Sequence, residues 1–144
     1  MLPAMNSLLA SRIITLAYIV FLIAVVVSAT NHWYDDAFAM VKEFPGDKAL
    51  HFLLVGLLAF LVNLSLQAKL IHWKKFWIPL GTLSLLVLAT VEEFSQVFFV
   101  HRTFDLLDLV CNVSGILLLG WLALPMANWP VSYTHLTLPT ICSV

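Results

Sequence analysis

The sequence contains few charged residues and few cysteines. Charged residues make up 10% of the 144 positions and hydrophobic residues 62%. A typical soluble domain has about 25% charged residues and about 45–50% hydrophobic residues. A soluble domain of this size cannot bury so much apolar surface. The Lys and Arg residues are scattered and the formal net charge is −1, which argues against a nucleic-acid partner because phosphate binding requires clustered basic residues. Two cysteines, Cys111 and Cys142, provide no disulfide framework.

Long apolar runs are present instead, and they predict an all-α integral membrane protein, a four-transmembrane-helix bundle. A single membrane domain is expected over residues 1–129. Residues 130–144 are Thr-rich and lack the pattern of a span, so we expect a non-native or disordered tail there. The four spans are predicted at residues 13–29, 49–66, 76–100 and 106–124.

The first apolar run also has a rival interpretation as a cleavable signal peptide. Arg12 precedes the run, and the small residues Val27, Ser28 and Ala29 end it, as in such peptides. Signal peptides usually have an apolar core of about 7–15 residues. This run is longer, which favours a membrane span.

Positive charge sets the expected orientation of the spans. Cytoplasmic connections tend to carry the excess of Lys and Arg. The N-terminal segment and the connection between spans two and three carry four basic residues, and the other two connections carry three. Both termini are therefore expected to be cytoplasmic. The first group is Arg12, Lys69, Lys74 and Lys75, and the second is Lys42, Lys48 and Arg102.

Polar residues concentrate at the ends of three spans. With short connections, the start of span two, the end of span three and the start of span four must lie at one membrane face. An ionised side chain near the bilayer centre costs about 2.5–3.5 kcal/mol, which makes an accidental cluster unfavourable. The alternative is a solvated loop between two spans. We expect a polar cluster at the extracytoplasmic face, with the members Asp47, Lys48, His51, Glu92, Glu93, Gln96, Arg102, Asp105, Asp108 and Asn112.

Helical spacing indicates which of these residues share a face. Asp47, a possible N-cap, and His51 lie four apart, and Glu93 and Gln96 lie three apart. Asp105, Asp108 and Asn112 follow each other by three and four. Gly115 and Gly120 lie further along the same span and predict a small surface where another helix approaches closely.

Three interpretations of the cluster are open. In the first, the cluster is a structural staple in which Arg102 joins two carboxylates and Lys48 pairs with a third. In the second, it binds a lipid head group or a lipid-linked sugar phosphate, with Arg102, Lys48 and His51 facing the anion.

The third interpretation is a metal- or His-dependent membrane enzyme acting on a lipid phosphate. Asp47, His51, Glu93 and Asp108 could then ligate a divalent cation. The sequence contains no His-Glu-x-x-His motif. No metal site is therefore assigned, and the cofactor is left open.

The motifs at the helix ends occur in a characteristic order. They are Asp47-Lys48-x-x-His51-Phe52 at the start of span two, Glu93-x-x-Gln96 at the end of span three, and Arg102 followed by Asp108-x-x-x-Asn112-x-x-Gly115 at the start of span four. In this order they resemble the VanZ-like family of bacterial membrane proteins, over residues 47–120. Val55 departs from the family pattern, which has an aromatic residue, often Tyr, at that position.

The resemblance implies a small multi-pass α-helical protein of the bacterial cytoplasmic membrane, with a role in the cell envelope. The namesake members are associated with reduced susceptibility to the glycopeptide antibiotic teicoplanin, and no settled reaction belongs to the family. The expected function is to bind, or to bind and modify, a membrane lipid or a lipid-linked cell-wall precursor. The catalytic candidates are His51, Glu93 and Asp108, and the ligand-binding candidates are Asp47, Lys48, Gln96, Arg102, Asp105 and Asn112.

Overall fold

The structure, a computed structural model, describes residues 2–30, 45–73, 75–95 and 105–127. Within them, four helices and one two-stranded antiparallel sheet follow each other along the chain. Their bounds are α1, Leu2–Thr30; α2, Gly46–Ser65; β1, Leu70–Trp73; β2, Phe76–Pro79; α3, Leu80–Ser95; and α4, Leu106–Ala127.

Three of the described helices are long and apolar enough to cross a membrane. The segments are Ser7–Ser28 within α1, Gly46–Ser65 and Leu106–Ala127. A helix rises about 1.5 Å per residue, so α2 and α4 each extend about 30 Å, which matches the hydrocarbon core of a bilayer. The first, second and fourth predicted spans coincide with these helices. The prediction of a helical protein is confirmed, with three helices that are able to span a membrane.

The third predicted span, residues 76–100, is wrong at its start. Phe76–Pro79 form strand β2, and α3 begins only at Leu80. Aromatic and β-branched residues favour strands, and the residue before a proline is biased toward extended backbone, as Ile78 is here. With 16 residues, α3 extends about 24 Å, short of the roughly 30 Å that a span needs. Residues 96–100 lie outside the described residues.

Helices α2 and α4 form the centre of the bundle, and their backbones touch at two glycines. A Cβ atom on Gly56 would lie 2.8 Å from the carbonyl oxygen of Gly115, and a Cβ atom on Gly115 would overlap the carbonyl oxygen of Phe52. A side chain at either position would push the helices apart, because atoms cannot approach so closely. The small surface predicted around Gly115 is therefore the place where α2 and α4 meet.

A buried polar junction joins α2, α3 and α4 near the last turn of α2. The side-chain amide of Asn63 donates hydrogen bonds to Thr82 Oγ1, at 2.8 Å, and to the carbonyl oxygen of Gly120, at 3.1 Å. Ala59 and Ile116 are fully buried in the apolar core. The three helices therefore share both an apolar core and a polar contact.

Helix α1 attaches to α2 through hydroxyl groups and runs antiparallel to it. Thr15 Oγ1 lies 2.6 Å from Ser65 Oγ, and Tyr18 donates a hydrogen bond of 3.0 Å to the carbonyl oxygen of Leu54. Many apolar side chains of α1 face outward, such as Val20, which is 65% exposed. An apolar outer face is what a helix surrounded by lipid requires. The end of α1 therefore lies at the same end of the bundle as the start of α2.

Candidate functional site

The predicted polar cluster is centred on the ammonium group of Lys48, in the first turn of α2. Its Nζ lies 2.6 Å from Asp105 Oδ2, 2.5 Å from Asp108 Oδ1 and 3.3 Å from Asp47 Oδ2. The side chains of Lys48 and Asp108 are only 13% and 17% exposed. The structure differs from the expected pairing of Lys48 with one carboxylate, because three carboxylates surround it.

Asp47 lies inside the first turn of α2 and not at its N-cap. Pro45 occupies the cap position and makes no side-chain cap hydrogen bond. Asp47 Oδ1 instead accepts a hydrogen bond of 2.7 Å from the backbone N–H of Lys48. A carboxylate in the first turn is still favourable, because the helix N-terminus carries partial positive charge. The predicted N-cap role of Asp47 is therefore wrong, although the residue does stabilise the helix start.

Asp105 contacts three helices. Its Oδ1 accepts a hydrogen bond of 2.8 Å from the backbone N–H of Leu107 at the start of α4, in the manner of an N-cap. Its Oδ2 accepts a hydrogen bond from Lys48 on α2, and its own backbone N–H donates to Glu93 Oε1 on α3 at 3.1 Å. The hydrogen bond from Lys48, followed by that from Leu107, holds the pKa of Asp105 below its ordinary value.

Asp108 lies between a lysine and a histidine. One of its oxygens contacts Lys48, and the other lies 3.7 Å from His51 Nε2. This second distance is too long for a hydrogen bond, so the attraction is electrostatic and requires a protonated imidazole. The His51 side chain is 37% exposed. An imidazole that is open on one side and faces a carboxylate on the other can exchange protons with a bound molecule.

The two adjacent glutamates of α3 occupy opposite environments. Glu93 is 0% exposed, whereas Glu92 is exposed. Glu93 Oε1 accepts the backbone N–H of Asp105, so the end of α3 is joined to the start of α4. Asp47, Lys48, His51, Glu93, Asp105 and Asp108 together form the Lys48 cluster.

Three further candidate residues are not part of this described network. Asn112 lies one turn beyond Asp108 on α4 and is 2% exposed. Its Oδ1 has no hydrogen-bond partner among the described residues. Gln96 and Arg102 lie outside the described residues, so their roles stay predictions.

The Lys48 cluster has more hydrogen-bond acceptors than donors. Around Lys48, three carboxylates face one ammonium group, which leaves an excess of two formal negative charges when all are ionised. Within the described ranges, no group of three or more His, Cys, Asp or Glu side chains is arranged to hold a metal ion. The candidate metal ligands of the enzymatic interpretation are therefore not gathered as a metal site.

The Asn63 junction was not among the predicted sites. Asn63 is 0% exposed, and Thr82 is 0% exposed as well. The available signal was an amide side chain within an otherwise apolar run, because buried polar groups in membrane helices usually contact one another. Asn63 lies about 22 Å from Lys48 along α2 at about 1.5 Å per residue, which separates the junction from the candidate site.

Comparisons with known proteins give no family for this chain. No protein-family model, no curated protein and no solved structure matches it.

Proposed function

We propose that this protein is a VanZ-like multi-pass protein of the bacterial cytoplasmic membrane, and that its Lys48 cluster binds the head group of a lipid or a lipid-linked glycan. The observation that carries the proposal is one ammonium group among three carboxylates, beside a partly exposed imidazole. A contact built only to join two helices needs one carboxylate for each cation. Ionisable residues within membrane-spanning helices are costly and usually mark a functional site. Asp47 and Asp108 lie in the first turns of α2 and α4.

Helix α3 is proposed to complete a four-span bundle. Near its start, Thr82 accepts a hydrogen bond from Asn63 of α2, and near its end Glu93 accepts one from Asp105. These contacts support an α3 that runs from one end of α2 to the other. At about 24 Å, α3 would then cross most of the hydrocarbon core.

The proposed ligand presents hydroxyl or amino groups to the cluster. Lys48 has three N–H donors, and three carboxylates lie within 3.3 Å of its Nζ. In this proposal Lys48 holds the carboxylates in place, which replaces its expected contact with a ligand anion. The side chains of Asp47 and Asp105 are 32% and 40% exposed, so their oxygens can accept hydrogen bonds from a sugar or an amine.

Two residues supply the remaining chemistry in this proposal. His51 is the candidate acid or base, because it is partly exposed and faces Asp108. Arg102 precedes Asp105 by three residues in the sequence, and it remains the predicted contact for a phosphate group. In this proposal, modification of a bound head group would take place beside the residues that bind it.

The structural staple is the second candidate function. It is favoured by the short contacts of Lys48, which join α2 to the start of α4, next to the glycine contact between the same helices. Charge-assisted hydrogen bonds of this length are among the stronger contacts in proteins. In this case the cluster would stabilise the bundle and bind nothing.

Thermal unfolding in lipid nanodiscs tests the binding proposal. The probes are a polyprenyl-diphosphate-linked amino sugar and the same polyprenyl diphosphate without a sugar. We expect the sugar-bearing lipid to raise the unfolding midpoint of the native protein more than the sugar-free lipid does. Asp105→Asn should remove this difference, because it takes away an exposed acceptor.

The matched control is Glu92→Gln, which also converts a carboxylate to an amide but at an exposed position outside the Lys48 cluster. It should keep the response to the sugar-bearing lipid. Equal midpoints with both probes, or a response that survives Asp105→Asn, would support the structural staple. A lipidomic comparison of cells with and without the protein separates binding from catalysis, because only catalysis changes the lipid species. Teicoplanin susceptibility of the same cells tests the proposed link to glycopeptide tolerance.

A further inference from the structure

The hairpin of β1 and β2 carries aromatic and basic side chains on its outer surface. Its register places His72 opposite Trp77, with ring centroids 3.5 Å apart. Phe76 is 70% exposed and Trp77 is 54% exposed. Lys69 precedes β1 and Lys75 lies in the turn, and both are exposed. The two strands and these two lysines form the basic hairpin.

The basic hairpin is anchored at its base and open at its tip. Ala68 and Pro79 are buried at the base, and the backbone N–H of Leu80 donates a hydrogen bond of 2.8 Å to the carbonyl oxygen of Lys69. A single two-stranded hairpin is only marginally stable in water. Exposed Phe and Trp side chains also gain free energy when they leave water. The hairpin therefore gains stability from any surface that covers its tip.

Among the described residues, the acidic side chains lie at one end of the bundle, and the Lys and Arg residues other than Lys48 lie at the other. The exposed Arg12 follows Ser11, whose carbonyl oxygen accepts a hydrogen bond of 3.2 Å from Ser65 at the end of α2. Arg12 therefore lies at the same end as the basic hairpin. All of the described acidic residues belong to the opposite end, and they are Asp47, Glu92, Glu93, Asp105 and Asp108.

We propose that the basic hairpin binds the anionic phospholipid head groups of the bilayer that holds the helices. Lys69 and Lys75 would contact lipid phosphates, and Phe76 and Trp77 would lie at the level of the head groups. Trp is enriched at this level of membrane proteins, and basic residues mark the cytoplasmic face, whose leaflet carries anionic lipid. The site is separate from the Lys48 cluster, because the two lie at opposite ends of α2.

Fluorescence quenching by brominated lipids tests the proposal. The full chain is placed in nanodiscs that contain both phosphatidylcholine and phosphatidylglycerol. In one preparation the phosphatidylcholine carries the bromine, and in the other the phosphatidylglycerol carries it, at equal bromine content. The difference between the native protein and Trp77→Phe isolates the signal of Trp77. Each lysine near an anionic surface favours anionic over neutral lipid by about fivefold. We therefore expect brominated phosphatidylglycerol to quench Trp77 more strongly than brominated phosphatidylcholine does.

In the double variant Lys69→Gln with Lys75→Gln, the two brominated lipids should quench Trp77 equally. Glu92→Gln, which changes the net charge by one at the other end, should keep the preference. Added salt should weaken the preference of the native protein, which provides the same test without any substitution. Equal quenching of the native protein by both lipids, or no quenching of Trp77 by either lipid, would overturn the proposal. Neither result affects the Lys48 cluster.

Discussion

Replacement of Lys48 by methionine removes the charge at the centre of the polar cluster while keeping most of the side-chain volume. The three carboxylates would lose their contact with the ammonium group. The carboxylates of α2 and α4 would then repel each other. We expect Lys48→Met to destabilise the folded protein.

The size of the effect follows from the exposure of each partner. Loss of one partner from a buried ion pair costs about 3–5 kcal/mol, whereas an exposed pair contributes about 0–1 kcal/mol. Lys48 and Asp108 are 13% and 17% exposed, close to the buried case, while Asp105 is 40% exposed. The expected cost is about 3 kcal/mol, or roughly a hundredfold change in the ratio of folded to unfolded protein.

Reversible unfolding in neutral detergent micelles, followed by helical circular dichroism, measures this cost. Lys75→Met is the matched control, because Lys75 is exposed and lies at the opposite end of the bundle. The second substitution Asp108→Asn should recover part of the stability that Lys48→Met loses. A cost no larger than that of the control, or no recovery in the double variant, would refute the calculation.

Two further predictions concern the helix contact and the acid response. Gly115→Val should destabilise the protein by about 1–3 kcal/mol or more, because the valine side chain would overlap the carbonyl oxygen of Phe52. The same unfolding measurement on Leu118→Val, on the exposed face of α4, should show a smaller loss. Asp105 has a lowered pKa in the folded protein, so its stabilisation is present above its unfolded pKa of about 3.9 and is lost as the pH falls through the lower folded value. Below about pH 4, the unfolding midpoint should therefore fall less steeply with decreasing pH for Asp105→Asn than for the native protein. Parallel dependence of the two midpoints on pH would contradict this.

Sequence reasoning located the helices well where the apolar run is long. Such runs determine α2 and α4 because a membrane helix must satisfy its backbone hydrogen bonds internally and present apolar side chains outside. The same reasoning failed at Phe76, where a short aromatic run fits a strand as well as a helix. The sequence between the two strands lacks the Asn-Gly or Asp-Gly pair that usually signals a hairpin.

The convergence of the polar residues was predictable, but their individual contacts were not. Antiparallel helices with short connections force Lys48, Asp105 and Asp108 to one end of the bundle, whatever their rotamers are. How many carboxylates a single ammonium group contacts depends on side-chain packing at distances of a few ångströms, which spacing along the sequence does not specify. The Asn63 junction was missed for a related reason, because a lone amide in an apolar run does not identify its partner.

The contacts at the two ends of α3 have a consequence for the protein during its synthesis, when the helices emerge one after another. Its hydrogen bonds reach Asn63 at one end and Asp105 at the other, and Asn63 also contacts Gly120 of α4. The ribosome makes α4 after α3, so α3 emerges before the backbone N–H that contacts its buried glutamate. A short helix with a carboxylate near its end is a poor substrate for insertion alone. In the proposed four-span bundle, the third and fourth helices would therefore enter the membrane most favourably as a pair.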